Sequence, residues 1–242
     1  LGFFKKVDVK NVVGSRPDKN VLQVKVKERS TGEMTFGAGV SSSVGLLANV
    51  GIRERNLLGK GQDLLLKTTI AAEASEIDLK FTEPYFLDRK LSGGFELFRT
   101  AEDLQDESSF ERNSFGAGLR LGFEYSDIFR QWLRYRITRE EVTDVASTAS
   151  LAIQEQKGAA VKSEISQTLT YDSRDDLFLP TKGVVAKFNT DLAGLGGVVR
   201  YIRTDVKATK YFPITEKLIG SIGGSAGYII GLGKNIRIVD RF

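Results

Sequence analysis

Strict two-residue alternation, sustained for about ten residues at a time and repeated along most of the chain, is the feature that most limits the possible folds. Leu64, Leu66, Thr68, Ile70 and Ala72 alternate with Asp63, Leu65, Lys67 and Thr69. Ile77, Leu79 and Phe81 alternate with Glu76, Asp78, Lys80 and Thr82. Phe115, Ala117, Leu119, Leu121 and Phe123 alternate with Gly116, Gly118, Arg120 and Gly122, and Leu133, Tyr135 and Ile137 with Arg134, Arg136 and Thr138. Later, Val184, Ala186, Phe188 and Leu192 alternate with Val185, Lys187, Asn189 and Asp191. Side chains of a strand point alternately to its two faces, so each stretch predicts a strand with one apolar and one polar face.

Eleven such strands are expected, at 33–41, 44–53, 62–73, 76–84, 90–100, 114–124, 129–139, 162–172, 183–193, 199–210 and 217–230. Soluble sheets favour strands of about five or six residues, whereas a tilted strand needs about 9–11 to cross a bilayer. The connections differ in kind. Those at 125–127 and 212–215 are compact; those at 101–113 and 140–162 are long and polar. Short turns on one side and long loops on the other are the habit of outer-membrane barrels. Tyr85, Phe86, Phe123, Tyr125, Phe129, Tyr171, Tyr211 and Phe212 fall near strand ends, as an interfacial aromatic girdle requires. The expected fold is therefore all-β, a transmembrane antiparallel β-barrel. Bulk composition does not separate it from a soluble sheet: 41% hydrophobic and 27% charged residues suit both. No apolar run reaches the length of a membrane helix; the best stretch, 218–233, is strand-like and rich in glycine. Eleven strands do not close in the usual even-numbered way, so further strands are expected after Phe242.

Residues 1–31 form a separate unit, expected to end a small domain. Val7 and Val9 alternate with Lys6, Asp8 and Lys10. A turn follows at 14–18, and then Val21, Leu22, Val24 and Val26 alternate with Gln23, Lys25, Lys27 and Glu28. This predicts a hairpin with one buried face.

The chain holds no cysteine and no histidine. Disulfides and thiolate chemistry are excluded, and the commonest general base and metal ligand is missing, which argues against an enzyme. Net charge is +4 without a dense basic block, so no nucleic-acid partner is expected. Asp172, Asp175 and Asp176 lack the ligand spacing of a calcium loop and enclose Arg174; a structural turn is the preferred reading. Gly194-Leu195-Gly196-Gly197 lacks the Gly-Lys-Ser/Thr of a phosphate loop and reads as a flexible loop.

Several stretches, in order along the chain, resemble the BamA family of POTRA-barrel outer-membrane insertases. Lys27-Glu28-Arg29-Ser30-Thr31-Gly32, followed by Phe36-Gly37-Ala38-Gly39-Val40-Ser41, resembles the junction between the last POTRA domain and the first barrel strand. Glu54-Arg55-Asn56-Leu57-Leu58-Gly59-Lys60-Gly61-Gln62 resembles the turn between the second and third strands. Phe81-Thr82-Glu83-Pro84-Tyr85-Phe86 resembles the end of the fourth. Tyr171-Asp172-Ser173-Arg174-Asp175-Asp176 with Pro180-Thr181-Lys182-Gly183 resembles the turn between the eighth and ninth. Val239-Asp240-Arg241-Phe242 resembles the lead-in to the sixth extracellular loop, whose Arg-Gly-Phe motif would follow.

The resemblance implies that residues 1–31 are the α+β POTRA end, in the periplasm of a Gram-negative bacterium. Residues 32–242 would be the first eleven of about sixteen barrel strands in the outer membrane. It implies no catalytic residue, cofactor or metal. Its partners would be unfolded outer-membrane proteins, accessory assembly lipoproteins met through POTRA domains, and outer-membrane lipid. It assigns the lateral seam to Glu33, Met34, Thr35, Phe36, Gly37, Ala38, Gly39, Val40 and Ser41, where a client strand is templated by β-augmentation. Gly37 and Gly39 would keep that seam weak, or merely relieve crowding inside the barrel. It assigns the family turn to Asp172, Arg174, Asp175, Pro180, Thr181 and Gly183. Two alternatives stay open: another POTRA-barrel protein, TamA-like or a two-partner secretion exporter, and a soluble β-rich binding domain or enzyme.

Overall fold

A computed structural model describes residues 3–16, 20–42, 44–233, 235–237, 240 and 241. Pro17 and Asp18 of the expected hairpin turn lie outside the described residues, as do Val239 and Phe242 of the final motif.

Two strands, β1 (Phe4–Val13) and β2 (Asn20–Glu28), form the N-terminal hairpin, with Val7 opposite Val26 and Val9 opposite Val24. Both strands are exposed among the described residues, with the valines sharing one face. Alternation identified which face is apolar; covering that face takes a further layer of structure beyond what two strands supply.

The remaining strands are β3 (Gly32–Ser41), β4 (Gly45–Leu57), β5 (Gln62–Ala71), β6 (Ala74–Glu83), β7 (Leu91–Leu104), β8 (Phe110–Glu124), β9 (Phe129–Thr143), β10 (Gly158–Asp172), β11 (Gly183–Gly197), β12 (Tyr201–Pro213) and β13 (Ile219–Gly231). They form one eleven-stranded sheet in which each strand pairs antiparallel with its sequence neighbours. β3 and β13 are the edges.

Register makes the two faces continuous. Leu64, Phe81, Phe95, Leu119, Tyr135, Ile165, Leu192, Ile202 and Ile230 are successive cross-strand partners, an apolar row running from β5 to β13. Phe81 and Phe95 stack within it at 5.3 Å between centroids. One residue along, Arg120, Arg134, Ser166, Asp191 and Arg203 make a polar row on the other face. Burial is inverted relative to a water-soluble protein. Leu119 is 63% exposed, while Glu96, Glu140, Glu164, Asp191 and Asp240 are buried. Apolar side chains that find no protein partner need an apolar solvent, and charges withdrawn from the surface need each other; a lipid-facing wall around a polar lumen satisfies both.

Three expectations are corrected. The long polar connection at 101–113 is mostly strand: β7 runs to Leu104, β8 begins at Phe110, and the short helix α1 (Gln105–Ser108) lies between. The connection at 140–162 likewise shrinks, because β9 continues to Thr143 and β10 begins at Gly158; a second short helix, α2 (Leu151–Gln154), lies in what remains. The apolar alternation of β8 covers Phe115–Phe123, about 30 Å of chain and roughly 25 Å of membrane after tilting. Beyond it, outward positions turn polar at Asn113, Glu111, Arg139 and Glu141. Those strand ends lie beyond the lipid band, and their lumen face, with Phe110, Glu140 and Val142 buried, mixes apolar and charged side chains, so they carry no alternation to read.

Second, Gly194-Leu195-Gly196-Gly197 is not a loop but a bulged end of β11: pairing shifts between Lys162–Gly197 and Glu164–Ala193. Gly197 has φ of 83°, and a Cβ there would sit 2.0 Å from the Val161 carbonyl oxygen, so only glycine fits. Third, Tyr211 faces the lumen, opposite Gly183 and Ser221, and leaves the aromatic girdle. Phe123, Tyr125 and Phe129 do form a stacked group at the end carrying the short turns, with centroids 6.2 and 5.5 Å apart. Tyr171, beside Phe129, extends it.

Candidate functional site

Among the described residues, β3 is an edge strand paired with β4. Met34, Phe36 and Val40 lie on the apolar face and are 65%, 69% and 82% exposed. Glu33, Thr35, Gly37, Gly39 and Ser41 lie on the lumen face, opposite Arg53, Gly51, Asn49, Leu47 and Gly45; Ala38 faces outward with Ala48. The two glycines differ. A Cβ at Gly37 would come 2.8 Å from the Asn49 amide, so this glycine makes room for a neighbour. A Cβ at Gly39 would meet only Leu47, at 3.9 Å. Crowding explains Gly37 and not Gly39.

The foot of β3 is held by charged and polar side chains of β4. Arg55 pairs with Glu33 at 2.9 Å, and the Thr31 hydroxyl donates to Glu54. Glu54 also accepts the Asn56 amide N–H at 2.8 Å, and the Asn56 side chain accepts that of Gly61 at 2.7 Å. One strand further in, Arg53 grips Asp63 through Nε and Nη2 at 3.0 and 2.6 Å. β3 thus starts from a pinned foot.

The turn between β10 and β11 is built by the residues the family resemblance marks. Asp172 accepts a fork from Arg174 at 2.8 and 2.7 Å. Asp175 accepts the amides of Thr181 and Lys182 at 2.9 and 3.1 Å, together with the Thr181 hydroxyl. These bonds, the hydroxyl's first, hold its carboxyl well below the usual carboxylate range. Its contribution to the turn is therefore fully present above the ordinary carboxylate range and is lost only as pH falls toward the lowered value. Asp176 accepts the amides of Phe178 and Leu179. Every carboxylate of the trio is thus engaged by donors of the turn itself. Pro180 lies within the turn, before Thr181. Gly183 closes it with φ of 111°, and a Cβ there would meet the Ser173 carbonyl oxygen at 2.3 Å.

Inside the lumen, the structure assembles ion pairs that no local motif announces. Glu96 pairs with Arg136, whose guanidinium also covers the Phe98 ring at 4.5 Å, and with Arg120 at 3.6 Å. Glu140 pairs with Arg112 at 2.6 Å and Arg237 at 3.2 Å. Asp240 pairs with Lys162 at 2.7 Å, and its carbonyl accepts from Arg203 at 3.3 Å. The Tyr201 hydroxyl donates to Glu164 at 2.5 Å, and Arg203 pairs with Asp191 at 2.7 Å. Arg237 and Asp240 thereby fasten the end of the chain to the inner wall of β9, β10 and β12. Of the lumen charges alternation identified, Lys80 and Asp78 pair at 3.6 Å. The carboxylate partners were invisible in sequence because register, not spacing, brings Glu96 to Arg136 and Glu140 to Arg112.

Residues 56–242 match the family model described as the Omp85 superfamily domain. The chain is 29% identical to the outer membrane protein assembly factor BamA of Nitratidesulfovibrio vulgaris, over 99% of this chain and 30% of that protein. It is 26% identical to the BamA of Neorickettsia risticii, over 100% of this chain and 33% of the relative. It thus spans about a third of the length of these relatives. The crystal structure of BamA from Haemophilus ducreyi lacking POTRA domains 1–3 superposes on all of this chain and 49% of its own, with a TM-score of 0.86 at 24% identity, which shows a shared barrel fold.

Proposed function

The chain belongs to the Omp85 superfamily, and from that membership we propose that it forms barrel strands of an outer-membrane protein assembly factor of the BamA type, folding and inserting other β-barrels. Residues 1–31 would close the last POTRA domain on the periplasmic side, and residues 32–242 would lie in the outer membrane of a Gram-negative bacterium.

The observation that supports this reading is the eleven-stranded sheet with one apolar and one charged face; within it we assign templating to β3, whose outer face is apolar, whose inner face is thinned by Gly37 and Gly39, and whose foot is anchored. An unfolded client cannot bring unpaired N–H and C=O groups into hydrocarbon without a large penalty. An opened β3 seam would offer those groups partners before the client's own strands exist. No bond is made or broken covalently, so the work needs neither a catalytic residue nor a cofactor. Client outer-membrane proteins, accessory lipoproteins and the surrounding lipid are the proposed partners.

The test is reconstitution. The full-length protein in lipid vesicles should speed the folding of a urea-unfolded outer-membrane barrel at least about tenfold over empty vesicles, an effect of about 1.4 kcal/mol on the barrier. Protease protection and heat-modifiable gel mobility of the client report folding. Equal rates with and without the protein would rule the reading out.

A further inference from the structure

A cavity of about 700 Å³ opens on the lumen face beneath the connection between β10 and β11. Its wall carries Arg130, Lys187 and Lys207, one from each of β9, β11 and β12, with Arg174 at the rim. Arg174 is neutralised by Asp172. The other three cations have no ion pair among the described residues. Lys187 and Lys207 are direct cross-strand partners, an arrangement that destabilises a sheet unless something negative lies between the two charges. Arg130 buries its Nε without a hydrogen-bond partner. Its cross-strand neighbour Glu124 makes no ion pair with it, and Asp205, one row away, is bonded by Asn189 at 2.7 Å. Four cations thus line the pocket against one carboxylate, Asp172, whose charge also acts on Arg130, a net excess of about three positive charges beside Trp132, Phe178 and Tyr211.

We propose that this pocket binds an acidic stretch of extended polypeptide entering the lumen from the turn end. Two features favour a peptide over a single phosphate. The cations span three strand intervals, roughly 14 Å from β9 to β12, which one tetrahedral ion does not bridge. Carboxylates at alternate positions of an extended chain are about 7 Å apart and match that row, with the intervening side chains free to meet the aromatic groups. The wall faces the lumen, away from the apolar face, so a lipid headgroup is poorly placed to reach it. The inference rests on the assembly reading, which supplies unfolded chains at this mouth; the cations would concentrate acidic client segments there.

The full-length protein in neutral detergent is titrated with a fluorescein-labelled peptide of alternating glutamate and valine, and with the same peptide carrying glutamine for glutamate. The glutamate peptide should bind about tenfold tighter or better, and its affinity should fall steeply with salt. The triple variant Arg130→Gln, Lys187→Gln, Lys207→Gln should lose that advantage, while Lys187→Arg with Lys207→Arg keeps it, separating charge from folding. Equal binding of the two peptides, or an unchanged triple variant, overturns the proposal. So does binding of phosphatidylglycerol vesicles that the triple variant abolishes while the peptide is ignored. Vesicle-based client folding by the wild type is read separately, so loss of this site with assembly intact removes only this inference.

Discussion

Glu96→Ala is expected to destabilise the barrel by about 3–5 kcal/mol, the cost of removing one partner from a buried ion pair. Glu96 is 2% exposed and lies between Arg136 and Arg120. Arg134 is the direct cross-strand partner of Arg120 and lies two residues from Arg136. Without the carboxylate, three guanidinium groups share one stretch of wall, and like charges add repulsion to lost pairing. Equilibrium unfolding of the full-length protein in detergent and urea measures the change. The double variant Glu96→Ala with Arg136→Ala should cost less than the sum of the two single changes, because the second removes the charge the first left unpaired. Additive losses would mean that Glu96 contributes packing and not pairing.

Leu119→Arg should be nearly as damaging, at about 2–4 kcal/mol, for a different reason: it places a charge on the lipid face near the middle of the apolar row. The same arginine at Ser221, exposed on the lumen face of β13, should change stability by about 0.5 kcal/mol or less. Folding yield into vesicles and urea midpoint report both. The contrast matters because Leu119 is 63% exposed. Were the sheet surrounded by water, arginine there would be harmless or solubilising, and a small effect at Leu119 would remove the lipid from the description.

Legibility in the sequence followed the solvent. Where one face meets lipid and the other the lumen, as in β5, β6 and the middle of β8, alternation located both strand and face. Beyond the lipid band, as at residues 101–104 and 110–113, polarity resembled that of a loop although the ladder continues. At Gly194-Leu195-Gly196-Gly197 the glycines indicated freedom, whereas Gly197 answers a close approach to the Val161 carbonyl. Tyr211 shows the limit of reasoning from strand ends alone: its nearness to an end was right, but its face follows from the pairing with Gly183. The turn residues Asp172, Arg174, Asp175, Thr181 and Gly183 were locatable because their bonds are local. The Glu96–Arg136, Glu140–Arg112 and Asp240–Lys162 pairings join residues 40, 28 and 78 positions apart, and only the fold reveals them.

The most direct measurement of templating at β3 uses the absence of native cysteine in this chain. Met34→Cys and Phe36→Cys are placed singly in the full-length protein, and a stalled client carries single cysteines along one strand. If β3 pairs with that strand, each position should form a disulfide with one preferred client residue, and moving from residue 34 to residue 36 should move the preferred client residue by two. Crosslinks without that shift, or none at β3 while the client still folds, would contradict the account.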